Sequence, residues 1–433
     1  MMKLYRFSFI VFFFVCGVNI AFAQSKKARS GTFALTNASI ETVTKGVIQN
    51  GTVIIRDGKI ASVGADAAIP ADAQVIDCEG KWIYPGMIDA GTHLGLVEFG
   101  MVNQATDVSE VGDVVPQVKA MTAVNPNSAA IPITRVSGVT TTLVLPEGEL
   151  FCGTAALMNL HGYTPDQMFA GFEGMVLNYP RTGKRGSWDR RSDEEIKKAM
   201  EKVTKRLNDV WEKAVQYHKL DSATKGKMSY YPEMQALLPV VRGEQPLIVI
   251  VNREKDIRSA LQWVKAKKIK NVIFSGMAEG WRVADEIAKA NIPVIAGPVL
   301  TLPTRDYDRY DKGYANVGLM KKAGVRVAIK TDDDNLNYRN LPYHAGFAVA
   351  YGMSREDALK AITIVPAELF GVADKLGSIE VGKNATLFVC NGDPFETKTI
   401  VEQVFIDGWQ MPMESRQTQL YEEFLERSPG LKK

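Results

Sequence analysis

Histidine and cysteine are both scarce in this chain, four of each in 433 residues. One cysteine, Cys16, lies in the apolar N-terminal stretch, and the other three, Cys78, Cys152 and Cys390, are too few and too scattered for a disulfide framework. One pair could form in an oxidising compartment, but buried free thiols are the plainer reading. Beyond residue 23 there is no second long hydrophobic run, no internal repeat, no low-complexity tract and no glycine-rich nucleotide loop. A charge of one sign is missing too. The formal net charge is +3, and it falls to +1 if residues 1–23, with two cationic side chains, are removed. Such a balance gives no broad electrostatic pull toward nucleic acid or a lipid surface, so a small molecule is the natural partner.

What is present begins with an address. Lys3 and Arg6 precede an apolar run over residues 7–18, and Ala21-Phe22-Ala23 stands before Gln24. Charged, apolar and small-residue segments in that order predict a cleavable signal peptide over residues 1–23 and a periplasmic or secreted product. The run falls short of the roughly 20 residues that span a bilayer. A lipoprotein reading is weaker, because Cys16 follows the bulky Val15.

The mature chain has β-rich ends and an alternating middle. Residues 52–56 and 59–64 flank Asp57-Gly58, and residues 401–406 lead into Asp407-Gly408; Asp-Gly between alternating strands predicts a tight hairpin. Between these ends, apolar runs at 140–145, 175–177, 247–251, 272–274, 292–295 and 325–329 alternate with helical patterns. In one of these, Ile257, Ala260, Leu261 and Val264 form a single apolar stripe. Ser354 and Asp357 read as a helix cap, and Pro366 with Gly371 brackets a short last helix. Strand and helix in alternation predict an α/β fold, a closed (β/α)₈ barrel over residues 85–371. Residues 24–84 and 372–433 are the two β-rich ends that bracket it. Residues 181–227 interrupt the rhythm with Arg181, Lys184, Arg185, Arg190 and Arg191 and a long charged helix, either a solvated insertion or a lid for an anionic substrate.

Where the β-rich segment hands over to the barrel the chain reads Pro85-Gly86-Met87-Ile88-Asp89-Ala90-Gly91-Thr92-His93. This resembles the amidohydrolase superfamily, especially its imidazolonepropionase-like branch, in which the phrase ends in two histidines two residues apart. On a strand, that spacing aims both rings at one ion. Here only His93 is histidine. Further similar text includes Asn252-Arg253, Gly297-Pro298, Arg339-Asn340-Leu341-Pro342-Tyr343 and Asn391-Gly392-Asp393-Pro394. The resemblance implies the barrel flanked by a small β-sandwich built from both termini, and one or two divalent metals. It implies metal ligands at Gly91, His93, a bridging lysine or glutamate, Ile250, Ser275 and Asp332. The strand nearest the lysine position, Gly174-Met175-Val176-Leu177, has none.

Two ligands, His93 and Asp332, are fewer than the three that usually hold a catalytic zinc. At most one zinc or other divalent ion is expected, with His161 or His344 as a replacement ligand. Asp332 is the candidate general base, alternatively a structural carboxylate in the Asp332-Asp333-Asp334 turn, and Arg339 and Tyr343 are candidate substrate contacts at the barrel mouth. One reading is a hydrolase of cyclic amides or small peptide-like C–N bonds. The other is a ligand-binding or partner subunit with no metal and no turnover, acting as a homo-oligomer or beside an active relative. A purely structural role would leave the loop text at 339–343 unexplained.

Overall fold

The computed structural model describes residues 27–98, 105–184, 189–224, 229–332 and 337–427. The expected signal peptide, Arg185, Asp333 and Asp334 lie outside them. The chain opens with β1 (Phe33–Glu41), β2 (Val47–Arg56), β3 (Lys59–Gly64), β4 (Gln74–Asp77) and β5 (Trp82–Pro85). The barrel follows as β6 (Met87–Thr92), β7 (Val139–Val144), β8 (Phe151–Asn159), β9 (Phe169–Asn178), β10 (Leu247–Val251), β11 (Val272–Gly276), β12 (Val294–Ala296) and β13 (Val327–Ile329). The last strands are β14 (Leu387–Cys390), β15 (Val401–Ile406) and β16 (Trp409–Gln410).

Strands from both ends share one sheet in the order β16-β15-β14-β5-β1-β2-β3, with β4 beside β1. Its inner face buries Phe33, Leu35, Ile55, Ile83, Leu387 and Phe405, and the Phe33 and Phe405 rings meet edge-on at 5.3 Å. Both Asp-Gly turns form as expected, with positive φ at Asp57, Gly58, Asp407 and Gly408. They also pack against each other: a Cβ on Gly408 would stand 2.5 Å from Gly58 Cα. The Asp407 carboxylate accepts hydrogen bonds from Asn384 at 2.7 Å and from Asn159, at the end of β8, at 2.8 Å, so the second turn also ties the sandwich to the barrel.

β6 through β13 form the second sheet in sequence order. Every neighbouring pair given by the hydrogen-bond ladder is parallel except those of β8, which runs antiparallel to both β7 and β9. The expected (β/α)₈ barrel is therefore present with its third strand reversed, because the loop after β7 turns back as a hairpin instead of crossing over through a helix. Backbone pairing across the seam brings β13 to β6: the Asp332 N–H donates to the Gly91 carbonyl at 3.1 Å. Ile88, Leu143, Val176, Ile248, Ile273 and Ile295 fill the interior. Val249 and Phe274, one residue out of phase, face the outer core against the surrounding helices, the alternation that a strand dictates.

Local signals hold where they were strongest. The helix Glu254–Lys267 buries Ile257, Ala260 and Val264, and Ser354 Oγ accepts the Asp357 N–H at 3.0 Å. The insertion is a helix over Asp193–Thr224 that buries Leu207, Trp211 and Ala214, its Trp211 ring meeting Trp263 at 5.6 Å. It is thus packed on the barrel rather than wholly solvated. Cys78, Cys152 and Cys390 are buried free thiols whose pKa values burial pushes up to about 11, 12 and 12. The paired turns make a clean test: Gly408→Ala, which adds both left-handed strain and a backbone collision, is expected to lower stability by about 2–3 kcal/mol in urea denaturation.

Candidate functional site at the C-terminal mouth of the barrel

The C-terminal strand ends carry the chemistry in barrels of this kind, and four ionisable side chains gather there. His93 stands just past β6. Its Nδ1 lies 2.8 Å from the Leu145 carbonyl and its Nε2 lies 3.1 Å from Glu147 Oε1, on the turn after β7. Lys330 and Asp332 follow β13, with Lys330 Nζ donating to Asp332 Oδ1 at 2.7 Å. The lysine side chain is only 2 % exposed, while that of Asp332 is 31 % exposed. Asp332 adopts a left-handed φ of 50°, which carries its carboxylate back toward the lysine two residues earlier.

Beneath this layer Asp89 is fully buried and staples the seam. It accepts the Thr331 N–H at 3.0 Å, the Thr331 hydroxyl at 2.6 Å and the Gly91 N–H at 3.2 Å. Burial pushes its pKa up to about 7 even against those three donors. Burial likewise opposes a charge on His93, but the Glu147 carboxylate and the Leu145 carbonyl outweigh it and raise the imidazole pKa. The hydrogen bond from His93 in turn holds Glu147 below its ordinary value.

The other candidates lie apart. His161 follows β8, and because β8 is reversed this end lies at the bottom of the barrel. Its ring meets Trp409 of the sandwich at 5.7 Å, so the suggestion that it replaces a metal ligand is corrected by topology. His344 is buried in the helix Leu341–Ala350, where its Nδ1 accepts the Val299 N–H at 3.2 Å and thereby anchors the loop after β12. Arg339 is exposed and Tyr343 half-buried; neither hydrogen-bonds to His93, Lys330 or Asp332. Asp332 takes its partner from Lys330.

An ion network braces the rim. Glu279, after β11, receives a two-pronged contact from Arg305, on the loop after β12, at 2.7 and 2.6 Å, and a Thr304 hydroxyl at 2.5 Å. Burial works against its charge, but Arg305 and the other donors bring its pKa down to about 2. A cleft of about 250 Å³ opens between the loop after β7, the end of β9 and the inserted helix, lined by Gly148, Asn178, Tyr179, Arg181, Arg191 and Met200. Arg191 is held by Asp189, at 2.6 Å.

Residues 260–411 match the amidohydrolase family. An imidazolonepropionase of Mesorhizobium japonicum is 26% identical over 412 residues, covering 83% of this chain and 92% of that protein. One from Sphingopyxis alaskensis is 25% identical over 393 residues, covering 83% of this chain and 92% of that protein. The crystal structure of an amidohydrolase from Thermotoga maritima MSB8 superposes with a TM-score of 0.78 at 27% identity, covering 89% of this chain and all of that one. The chain belongs to the amidohydrolase superfamily. Its likeness is to the imidazolonepropionase-like members, as its N-terminal motif implied.

Amidohydrolases generally work with divalent metal ions. The groups at this mouth do not fit one. No three His, Cys, Asp or Glu side chains converge among the described residues. His93 Nε2 faces Glu147, the nearest oxygen of Asp332 is bonded to an ammonium, and that ammonium would repel a cation. Ile250 and Ser275 sit opposite each other in register on β10 and β11, and the Ser275 Oγ is buried without a hydrogen-bond partner. Sequence reasoning passed over Lys330 and Glu147. The alternation from Ala328 could have flagged the lysine, since residues two apart on a strand share a face; nothing local marks Glu147, whose place comes from the reversed hairpin.

Two measurements follow. The His93 imidazole should titrate above the ordinary 6.5 by NMR and drop on Glu147→Gln. Because the folded value is raised, its stabilising contribution is full below 6.5 and lost as pH climbs through the folded midpoint. For Glu279, depressed from 4.5 to about 2, the sign reverses: its contribution is present above 4.5 and lost as pH falls toward 2. Arg305→Met should cost about 3 kcal/mol at neutral pH by leaving a buried carboxylate unpaired, with the difference from the parent shrinking in acid.

Proposed function

We propose that this amidohydrolase-superfamily protein is exported and binds a small amide-type molecule at the C-terminal mouth of its barrel without metal-dependent hydrolysis. The observation that carries this reading is the commitment of both surviving site groups to protein partners, His93 to Glu147 and Asp332 to Lys330. In a metal-dependent hydrolase of this fold those groups would be offered to the ion and to the water it activates. Gly91, Ile250 and Ser275 supply no replacement. The ligand class is suggested by the relatives named as imidazolonepropionases and by a cleft of small-molecule size beside the ionic cluster. Export rests on the order of segments in residues 1–23. A non-catalytic chain on this fold is useful when it steadies a second copy or an active relative, and such pairing belongs to the proposal.

Family membership favours a second reading, hydrolysis of a cyclic amide or small peptide-like C–N bond with Asp332 as general base and one rebuilt metal site. The two readings separate on protein expressed from Gln24 and dialysed against metal-free buffer. Far less than one zinc, manganese or iron per chain, and no turnover of imidazolonepropionate with or without added zinc, is the expected outcome. One tightly held ion per chain, released by His93→Ala or Asp332→Ala and accompanied by turnover, would restore the hydrolase.

A further inference from the structure

Lys330 is hard to explain as packing. An ammonium inside a barrel wall is costly unless paired, and a methionine or leucine would fill the same volume without that cost. Its stem runs past Gly91. A Cβ on Gly91 would stand 2.8 Å from Lys330 Cδ, whereas one on Gly297 would meet the Lys330 backbone carbonyl oxygen first, at 2.1 Å. Gly91 is also the position at which the resemblance expects the first metal-binding histidine. The room such a side chain would take is therefore occupied by the lysine stem, which delivers a positive charge to Asp332, the acid that the resemblance assigns to the metal. Neither change is tolerable alone: a side chain at 91 would collide with the lysine, and the glycine without the lysine would leave a hole beside an unbalanced carboxylate.

One further fact points to a ligand. Asp332 Oδ1 is the only hydrogen-bond acceptor of Lys330 Nζ among the described residues, whereas an ammonium has three hydrogens to donate. Two donors on a side chain that is 2 % exposed are thus left facing the mouth layer.

We propose that Lys330 is the resident cation of this site, standing in for the divalent ion, with Gly91 as the position that admits it. Its remaining N–H bonds are donated to the carbonyl oxygen of an uncharged cyclic amide or urea. This rests on the ligand-binding function proposed above and supplies the residue that would recognise the ligand. No bond is made or broken; the ammonium polarises and orients the carbonyl and keeps its proton.

The test compares the wild type with Lys330→Met, which keeps the stem's bulk and removes the charge, and with Gly91→His combined with Lys330→Gly, which exchanges the lysine for an imidazole. With zinc alone as probe, calorimetry should find no binding to the wild type and one ion per chain on the double variant. Imidazolidin-2-one should raise the wild-type melting midpoint and not that of Lys330→Met. A folded double variant that binds no zinc overturns the assignment of Lys330 to the metal's place and leaves the non-hydrolytic reading intact. Zinc held by the wild type with Lys330 present overturns both. If the double variant does not fold, Lys330→Met decides: equal responses of it and the wild type to imidazolidin-2-one, nil included, overturn the proposal.

Discussion

A lysine carried just past the last barrel strand has to be housed inside a wall of aliphatic side chains, and the seam of the barrel is built around that requirement. Gly91 clears a path for its stem, and the left-handed turn at Asp332 returns a carboxylate to its head at 2.7 Å. The Asp332 N–H closes on the Gly91 carbonyl, so the residue that balances the charge also completes the ring of strands. One layer down, Asp89 is a buried carboxylate satisfied by three donors, two of them from Thr331 across the same seam. Charge pairing and barrel closure share one residue, because Asp332 pairs with Lys330 through its carboxylate and reaches the first strand through its N–H.

The rest of the mouth follows from how loops are held over that layer. The reversed third strand makes a short hairpin whose turn presents Glu147 to His93, and the inserted helix, packed through Trp211 on Trp263, walls the adjoining cleft. On the other side, Arg305 and Glu279 clamp two loops together, and His344 holds the backbone at Val299. Histidines 93 and 344, which in a sequence look like metal candidates, both serve here as hydrogen-bond partners of protein groups. That is the commoner fate of a buried imidazole in a polar pocket.

Elements whose signals are local were readable in the sequence. The Asp-Gly hairpins, the apolar stripe of Ile257, Ala260 and Val264, the Ser354 cap and the interior strand at 247–251 each depend on a few neighbouring residues and on backbone geometry. The family motif at residues 85–93 extended this to the whole architecture. His161 was misplaced because strand direction is not encoded within a strand: the apolar run of β8 reads the same whichever way it pairs, and only the lengths and packing of its connections decide.

By itself, then, the sequence determined the fold class, the sharing of the sandwich between both chain ends, the position of the first strand's motif and the residue types at each expected ligand position, because these depend on local periodicity and motif spacing. Which groups meet was decided only by tertiary structure. Lys330 reaches the space left by Gly91 although 239 positions separate them in the chain, and Glu147 reaches His93 only because β8 turns back. The pairing of charges is a property of distance in three dimensions, and in a low-dielectric interior that distance determines whether a buried ammonium is a liability or the centre of a site.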